Sequence, residues 1–81
     1  MDMTTVGLDV AKQVFQVHGV DAHGKVVVRK QLRRKEGVAY FTKLPACEIG
    51  MEAGNSSHYW ARRLQGLGHT VKLMAPQFVR P

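Results

Sequence analysis

Two carboxylate residues, Asp9 and Glu52, stand where they could bind a divalent metal ion. Asp9 ends an apolar segment that begins at Val6, and Glu52 ends a second one that begins at Cys47. Carboxylate oxygens are hard ligands and favour Mg²⁺ or Mn²⁺ over zinc. If the two side chains shared one edge of a sheet, they could bind the ions of a two-metal site, which lie ~3.5–4 Å apart. The alternative is that both carboxylates face solvent or cap strand ends, and spacing alone favours that alternative.

The residues around Asp9 predict the first three strands. Val6, Leu8 and Val10 alternate with glycine and aspartate, which indicates a strand over residues 4–10. A second strand is predicted over residues 13–20 and a third over residues 25–32. Residues 21–24 form the predicted hairpin turn, because Gly24 can adopt the positive φ that such loops need. These strands form an antiparallel meander.

The hydrophobic period then changes to that of helices. Val38, Phe41 and Leu44 recur at helical spacing, so a helix is predicted over residues 35–44 and ends at Pro45. A short apolar strand over residues 47–52 leads to a second helix, which one residue of the segment 55–57 can cap. Trp60, Leu64 and Leu67 share its apolar face, and Gly68 is the better C′ residue. A last strand is predicted over residues 69–74.

The predicted order is βββαβαβ, which indicates an α/β fold with a mixed sheet. A right-handed crossover would place the strand 47–52 parallel to the first strand, ~4.8 Å away, so that Asp9 and Glu52 would emerge at one edge. The last strand would leave an uncovered sheet edge. We therefore expect residues 1–81 to be one domain that is incomplete at its C-terminus.

Charge and composition narrow the class of partner. The chain has 81 residues and a formal net charge of +6, which suits a nucleic acid but also an ordinary basic piece of a larger protein. The single cysteine excludes an internal disulfide and suggests a reducing compartment. With no signal peptide and no apolar run near ~20 residues, we expect a cytoplasmic protein with no membrane partner.

Candidate nucleic-acid contacts are basic or aromatic. Lys12 could touch a scissile phosphate, or it could be a solvated turn lysine. A dense basic cluster could follow a nucleic-acid backbone, or it could be a solvated strand end and loop. It consists of Arg29, Lys30, Arg33, Arg34 and Lys35. Tyr59 could stack on bases, whereas the position of Trp60 on the apolar helix face favours the core.

Five segments together resemble a known family. They are VGLDVAK at 6–12, IGMEA at 49–53, SHYWAR at 57–62, LGH at 67–69 and VKLMAPQ at 71–77. They resemble the N-terminal domain of DEDD-type insertion-sequence transposases, namely the one-ten family and its eleven-eleven subgroup, which are related to the Piv DNA invertases. The resemblance covers essentially the whole chain.

This resemblance implies an RNase H-like (RuvC-like) fold, with residues 1–81 as the N-terminal part of one catalytic domain. It implies that Asp9 and Glu52 are the first two acidic residues of a metal site for Mg²⁺ or Mn²⁺. The other two aspartates of the family follow soon after the segment that ends at Pro81, and a catalytic serine lies in a separate C-terminal domain. The implied partners are DNA, a guide (bridge) RNA and, in the full-length parent, further copies of itself. We expect the 81-residue chain to be inactive by itself.

Two rival functions come from other classes. One is a non-catalytic fragment that binds nucleic acid through its basic residues. The other is a fragment of an actin-like ATPase, whose first strand carries a similar Gly-x-Asp sequence. Such an ATPase needs a glycine- and threonine-rich phosphate hairpin after Asp9, and the sequence there is Val10-Ala11-Lys12-Gln13.

Overall fold

A computed structural model describes residues 3–10, 13–54 and 57–74 of the chain. Its elements follow the predicted order βββαβαβ, and the predicted bounds of the strands and of the first helix are correct to within one residue. The strands are β1 (Met3–Val10), β2 (Val14–Asp21), β3 (Val26–Arg33), β4 (Glu48–Glu52) and β5 (Thr70–Met74). The helices are α1 (Arg34–Lys43) and α2 (Ser57–Gly66).

The five strands form one mixed sheet in the order β3-β2-β1-β4-β5. The meander β1-β2-β3 is antiparallel, whereas β4 is parallel both to β1 and to β5. The predicted parallel pairing of the first and fourth strands is therefore confirmed. Because β1 is the central strand, it has a hydrogen-bonded neighbour on each side: β2 along nearly its whole length and β4 from Thr5 to Leu8.

The apolar core lies on one face of this sheet, beneath both helices. Val6 and Leu8 of β1 point to this face and are fully buried, as the alternation along the strand requires. Phe15 of β2 joins the two helices, because its ring lies against Gly37 of α1 and meets Trp60 of α2 edge-on at 4.8 Å. The described part of the chain contains no helix long and apolar enough to cross a bilayer.

Two glycines close the turns that the sequence predicts. Gly24 has a φ of 78° in the β2–β3 hairpin, where the Asp21 carboxylate accepts hydrogen bonds from two backbone N–H groups. Gly68 has a φ of 100° after α2, and its N–H donates to the carbonyl of Gln65. The next N–H donates to the carbonyl of Leu64, which completes a Schellman motif and confirms Gly68 as the C′ residue.

A buried histidine joins the end of α1 to the start of β4. His69 is 4% exposed, and one ring nitrogen, Nδ1, accepts a hydrogen bond from the backbone N–H of Cys47 at 3.2 Å. The proton is therefore on Nε2, which lies 2.7 Å from the carbonyl oxygen of Phe41. No pattern in the sequence predicts a role for His69. In the structure it satisfies the backbone N–H of Cys47 and the backbone carbonyl of Phe41.

Candidate functional site at the carboxyl rim

Asp9 and Glu52 lie at the edge of the sheet where the parallel strands end, which we call the carboxyl rim. The rim comprises the ends of β1, β4 and β5, together with the start of β2 and the end of β3. The β1–β4 pairing runs in register up to Leu8 and Met51, and the two carboxylates follow these residues in their strands. Adjacent strands are ~4.8 Å apart, so the same register continued by one residue would bring the two acidic residues side by side.

Both carboxylates project from the sheet face that carries neither α1 nor α2. Val6 and Leu8 of β1, and Ile49 and Met51 of β4, point to the core, whereas Asp9 and Glu52 belong to the opposite face and are exposed. Asp9 lies near the end of an apolar strand, but it is itself exposed. Alternation along β1 places this carboxylate in solvent at little desolvation cost. The proximity of the two carboxylates, and not their burial, is therefore the feature that favours a metal site.

Glycine occupies the position before the acidic pair on this face of both strands. Gly7 and Gly50 face each other in the β1–β4 ladder, two residues before Asp9 and Glu52 in their strands. They project to the same sheet face as the carboxylates, because side chains two residues apart in a strand share a face. The Met74 side chain of β5 lies over Gly50 and covers it. In residues 3–10, 13–54 and 57–74, no third histidine, cysteine or acidic residue completes a metal-ligand group with this pair.

The predicted basic cluster does not form a single surface. Lys12 lies outside the described residues. Arg29 pairs with His18 across the sheet on the face away from the helices, whereas Lys30 points to the helix face and lies 5.3 Å from the centre of the Tyr40 ring. The alternation of β3 separates these two cations. They also lie about 10–13 Å along β3 from the strand's end at Arg33, at ~3.3 Å per residue.

The other three cations of the cluster lie together at the carboxyl rim. Arg33, Arg34 and Lys35 line an open cleft of about 590 Å³ with Gln13 and Val14. Among the described residues, the only ion pair is that between Lys72 and Glu48, so none of the three cations is neutralised by a described carboxylate. Val14 belongs to β2, which is next to β1, and Arg33 ends β3, which is two strands or about 10 Å from β1 along the rim.

The position of these cations opposes the preference of an isolated helix. Arg33 is the N-cap residue of α1, and Arg34 and Lys35 occupy its first turn. An arginine side chain has no acceptor for a helix N–H group, and cations are unfavourable near the positive end of the helix dipole. Glu36 offsets this in part, because its carboxylate accepts a hydrogen bond from the Arg33 N–H at 2.8 Å. An anion bound in the cleft would offset the remaining repulsion between these cations and the positive end of the helix dipole.

A second group of cations surrounds aromatic rings on the helix side of the rim. We call it the Trp60 cluster, and it consists of Arg34, Tyr59, Trp60 and Arg63. The guanidinium carbons of Arg34 and Arg63 lie 6.0 and 5.9 Å from the centre of the Trp60 ring. Arg63 also donates a hydrogen bond to the Tyr59 hydroxyl at 2.9 Å. The sequence placed Trp60 in the core, which is confirmed, but it gave no sign that Arg34 of another helix would approach this ring.

The only cysteine is not activated as a nucleophile. Burial raises the pKa of the Cys47 thiol, so the reactive thiolate is less abundant than in an exposed cysteine. Burial, and then the nearby Cys47 sulfur, raise the pKa of the Tyr40 hydroxyl. Cys47 is half-buried and packs against the apolar core.

Comparison with known proteins finds relatives over the whole chain. No protein-family model matches it. A protein described as "Probable family 20 transposase" from Pseudomonas aeruginosa is 59% identical over 81 residues, covering 100% of this chain and 24% of the relative. The "Transposase for insertion sequence element IS1328" of Yersinia enterocolitica is 38% identical over 80 residues, which are 99% of this chain and 24% of the relative.

The "Transposase for insertion sequence element IS1111A" of Coxiella burnetii is 35% identical over 80 residues, covering 99% of this chain and 22% of the relative. These matches confirm the resemblance that the acidic pair and its flanking segments carry in the sequence. The chain spans about a quarter of the length of these relatives. Its homologues are transposases of insertion sequence elements, and it corresponds to the N-terminal portion of each.

Proposed function

We propose that this chain supplies the first two carboxylates of a divalent-metal site in an insertion-sequence transposase that cleaves and joins DNA strands. The observation that supports the proposal is the parallel register of β1 against β4 up to Leu8 and Met51, the residues that directly precede Asp9 and Glu52. The homologues of the chain are named transposases, and this supports transposition, a reaction of DNA, as the activity to which the chain contributes.

The chemistry of the pair fits a hard divalent cation. Two exposed carboxylates supply up to four oxygen atoms, and Mg²⁺ or Mn²⁺ can retain water molecules at its remaining positions. A bound ion would stabilise negative charge on a phosphate during strand cleavage. In this proposal, Asp9 and Glu52 hold the ion, and further ligands come from other parts of the parent protein. The sheet order β3-β2-β1-β4-β5, with only β2 antiparallel to the central strand, supports an RNase H-like fold.

The cleft of α1 supports DNA as the partner. The three cations of this cleft, at the same rim as Asp9, can contact phosphates of the strand that is held at the acidic pair. A site that binds a polyanion next to acidic residues needs such cations, because the carboxylates alone would repel it. Lys12, two residues after the end of β1, is proposed as a further phosphate contact.

Paramagnetic broadening by Mn²⁺ tests the metal site even if binding is weak. We expect Mn²⁺ to broaden the backbone amide signals around residues 8–9 and 52–53 of the 81-residue chain. Asp9→Asn or Glu52→Gln should abolish the effect. Glu48→Gln is the matched control, because Glu48 lies on the same strand and face but four residues away, and its exposed ion pair with Lys72 contributes little to stability.

Broadening that persists in Asp9→Asn, or that is lost equally in Glu48→Gln, would contradict the metal site. Nucleic-acid binding distinguishes the metal site from the alternative function, a non-catalytic fragment that only binds nucleic acid. If the chain is only a non-catalytic binding fragment, then the loss of cations from the α1 cleft should weaken DNA binding while Mn²⁺ leaves the signals of both acidic residues unchanged. The basic cleft is the observation that favours this second function.

A further inference from the structure

Tyr59 is a large aromatic side chain that the fold leaves on the surface. It is 48% exposed, although Trp60, the next residue of α2, is only 6% exposed. The Trp60 ring packs edge-on against Phe15 in the core, and the Tyr59 ring meets Trp60 edge-on at 5.1 Å. One aromatic residue thus anchors the first turn of α2, and the other extends from this anchor into solvent.

The orientation of the exposed ring is fixed by a guanidinium group. Arg63 lies one helical turn after Tyr59, donates to its hydroxyl at 2.9 Å and places its guanidinium carbon 5.9 Å from the ring centre. A ring that is already held pays less conformational entropy when a ligand stacks on it. A purely structural explanation of this contact is an i,i+4 pair that stabilises the helix by ~0.2–0.5 kcal/mol. That explanation accounts for the contact between Tyr59 and Arg63 but not for the approach of Arg34 to the neighbouring Trp60 ring.

The surroundings of Tyr59 are cationic and lie next to the α1 cleft. Arg34 belongs both to the lining of that cleft and to the Trp60 cluster, so the cleft and the cluster form a continuous surface. Within the described residues neither Arg34 nor Arg63 forms an ion pair with a carboxylate. A guanidinium group carries five N–H donors, and Arg63 directs one nitrogen to Tyr59, which leaves donors for a phosphate.

An exposed aromatic ring next to cations that can contact phosphates is an arrangement suited to unpaired nucleotides. Every base has an aromatic face, and it becomes accessible for stacking only when the base is not inside a duplex. The cations contact the backbone of the same strand. Duplex DNA would satisfy the arginines but would leave the Tyr59 ring without a partner. The surface therefore favours a single strand over a double helix.

We propose that the Trp60 cluster and the adjoining α1 cleft bind single-stranded nucleic acid, with one unpaired base stacked on Tyr59 and its phosphates on Arg63 and Arg34. This inference rests on the proposed function only in that both take a nucleic acid as partner. The stacking surface lies at a different part of the rim from Asp9 and Glu52, and binding there needs no metal ion. The strand can be DNA opened during recombination or an RNA, and the stacking chemistry is the same for both.

The test measures binding of short oligonucleotides that carry a fluorescent 2-aminopurine, in EDTA so that no divalent cation contributes. The same sequence is presented as single-stranded DNA, single-stranded RNA and duplex DNA. We expect the 81-residue chain to bind a single strand more tightly than the duplex. Tyr59→Ala should weaken single-strand binding roughly 5- to 150-fold, whereas Tyr59→Phe should keep most of the affinity because the ring remains. The tighter single strand, DNA or RNA, identifies the source.

Two arginines on the same helix provide a matched comparison of charge. Arg63→Gln should make the salt dependence of single-strand binding shallower by ~0.7 in the logarithmic slope, and Arg62→Gln, which removes the same charge, should change it less. Circular dichroism shows whether each variant keeps its helices. The proposal is overturned if Tyr59→Ala binds single strands as tightly as the unmodified chain does, or if Tyr59→Phe loses as much single-strand affinity as Tyr59→Ala. It is also overturned if duplex DNA binds more tightly than either single strand.

The metal experiment and this one fail independently. If Mn²⁺ binds at Asp9 and Glu52, but Tyr59→Ala binds single strands as tightly as the unmodified chain does, only the stacking surface is disproved. A chain that stacks an unpaired base on Tyr59 but does not respond to Asp9→Asn in the Mn²⁺ titration disproves only the metal site.

Discussion

The Nε2 atom of His69 donates a hydrogen bond to the carbonyl oxygen of Phe41 across 2.7 Å. In a continuing helix this carbonyl would accept from the N–H of the residue four positions later, but that residue is Pro45, which has no N–H. The chain therefore ends α1 with a proline and satisfies the remaining carbonyl with a side chain from the start of β5. Because the other ring nitrogen accepts from the Cys47 N–H, one imidazole satisfies two backbone groups near the core.

Removal of this imidazole should destabilise the fold. We expect His69→Ala to lower the free energy of unfolding by about 2–4 kcal/mol, because it leaves two backbone groups unsatisfied and a cavity between α1 and β5. Urea denaturation followed by circular dichroism measures the change. His23→Ala is the control, since His23 is exposed in the β2–β3 turn and its backbone N–H, not its ring, bonds to Asp21. An equal loss in both variants would contradict the role of His69.

Two helical glycines should respond to alanine in opposite directions. A methyl group at Gly37 would overlap the buried Phe15 ring, so Gly37→Ala should cost about 1–3 kcal/mol even though alanine favours helix. Gly66, the last residue of α2, has no other heavy atom near the position of an added methyl group. Gly66→Ala should therefore stabilise the fold by about 0.5–1 kcal/mol. Thermal unfolding of both variants tests the packing of α1, and stabilisation by Gly37→Ala would refute it.

Cys47 should make the fold less stable at alkaline pH. Its pKa is raised by burial, so the folded chain holds the thiol proton more tightly than the unfolded chain does. The resulting stabilisation is complete below the ordinary thiol pKa and is lost as the pH rises through the raised value. The Tyr40 hydroxyl, whose pKa is also raised, adds a loss of the same sign at higher pH.

We therefore expect the free energy of unfolding to decline above the ordinary thiol pKa in urea titrations at several pH values. The decline should begin at higher pH in Cys47→Ala, which retains only the contribution of Tyr40. Alkylation by iodoacetamide gives an independent measure. The thiol should react more slowly in the folded chain than in the urea-unfolded chain at the same pH, and equal rates would show that Cys47 is not protected.

The two ends of α1 should contribute unequally to DNA binding. Lys35 lines the cleft at the carboxyl rim, whereas Lys43 is exposed at the opposite end of the same helix. Lys35→Gln should make the salt dependence of duplex DNA binding shallower by ~0.9 in the logarithmic slope, and Lys43→Gln should leave it nearly unchanged. Filter binding or fluorescence anisotropy at several salt concentrations gives both slopes. Identical slopes for the two variants would show that the charge acts without a localised site.

The sequence was sufficient to predict the order of elements, because alternation along the strands and the breaks at Pro45 and Gly68 are local signals. The neighbourhood of Asp9 and Glu52 also followed from it, since a right-handed crossover leaves β4 only one parallel position beside β1. The surfaces that the basic residues form could not be predicted. Their grouping depends on the face that each position of β3 presents and on the approach of α1 to α2.

His69 shows why such contacts escape a reading of the sequence. The missing N–H of Pro45 can be recognised in the sequence, but the residue that compensates for it lies 28 positions after Phe41 and reaches it only through the packing of β5. The approach of Arg34 to Trp60 has the same character. The i,i+4 spacing of Tyr59 and Arg63, by contrast, was a local signal that could have drawn attention to this pair.

The place of β1 in the middle of the sheet has a consequence for the order in which the protein forms. Its antiparallel partner β2 follows it directly, so a hairpin can close early at low entropic cost. Its parallel partner β4 arrives only after a third strand and a helix. Asp9 therefore acquires Glu52 as a neighbour in one of the later steps of folding. A divalent ion bound by both carboxylates would stabilise the finished sheet over the early hairpin, so that ion binding would report on completed folding.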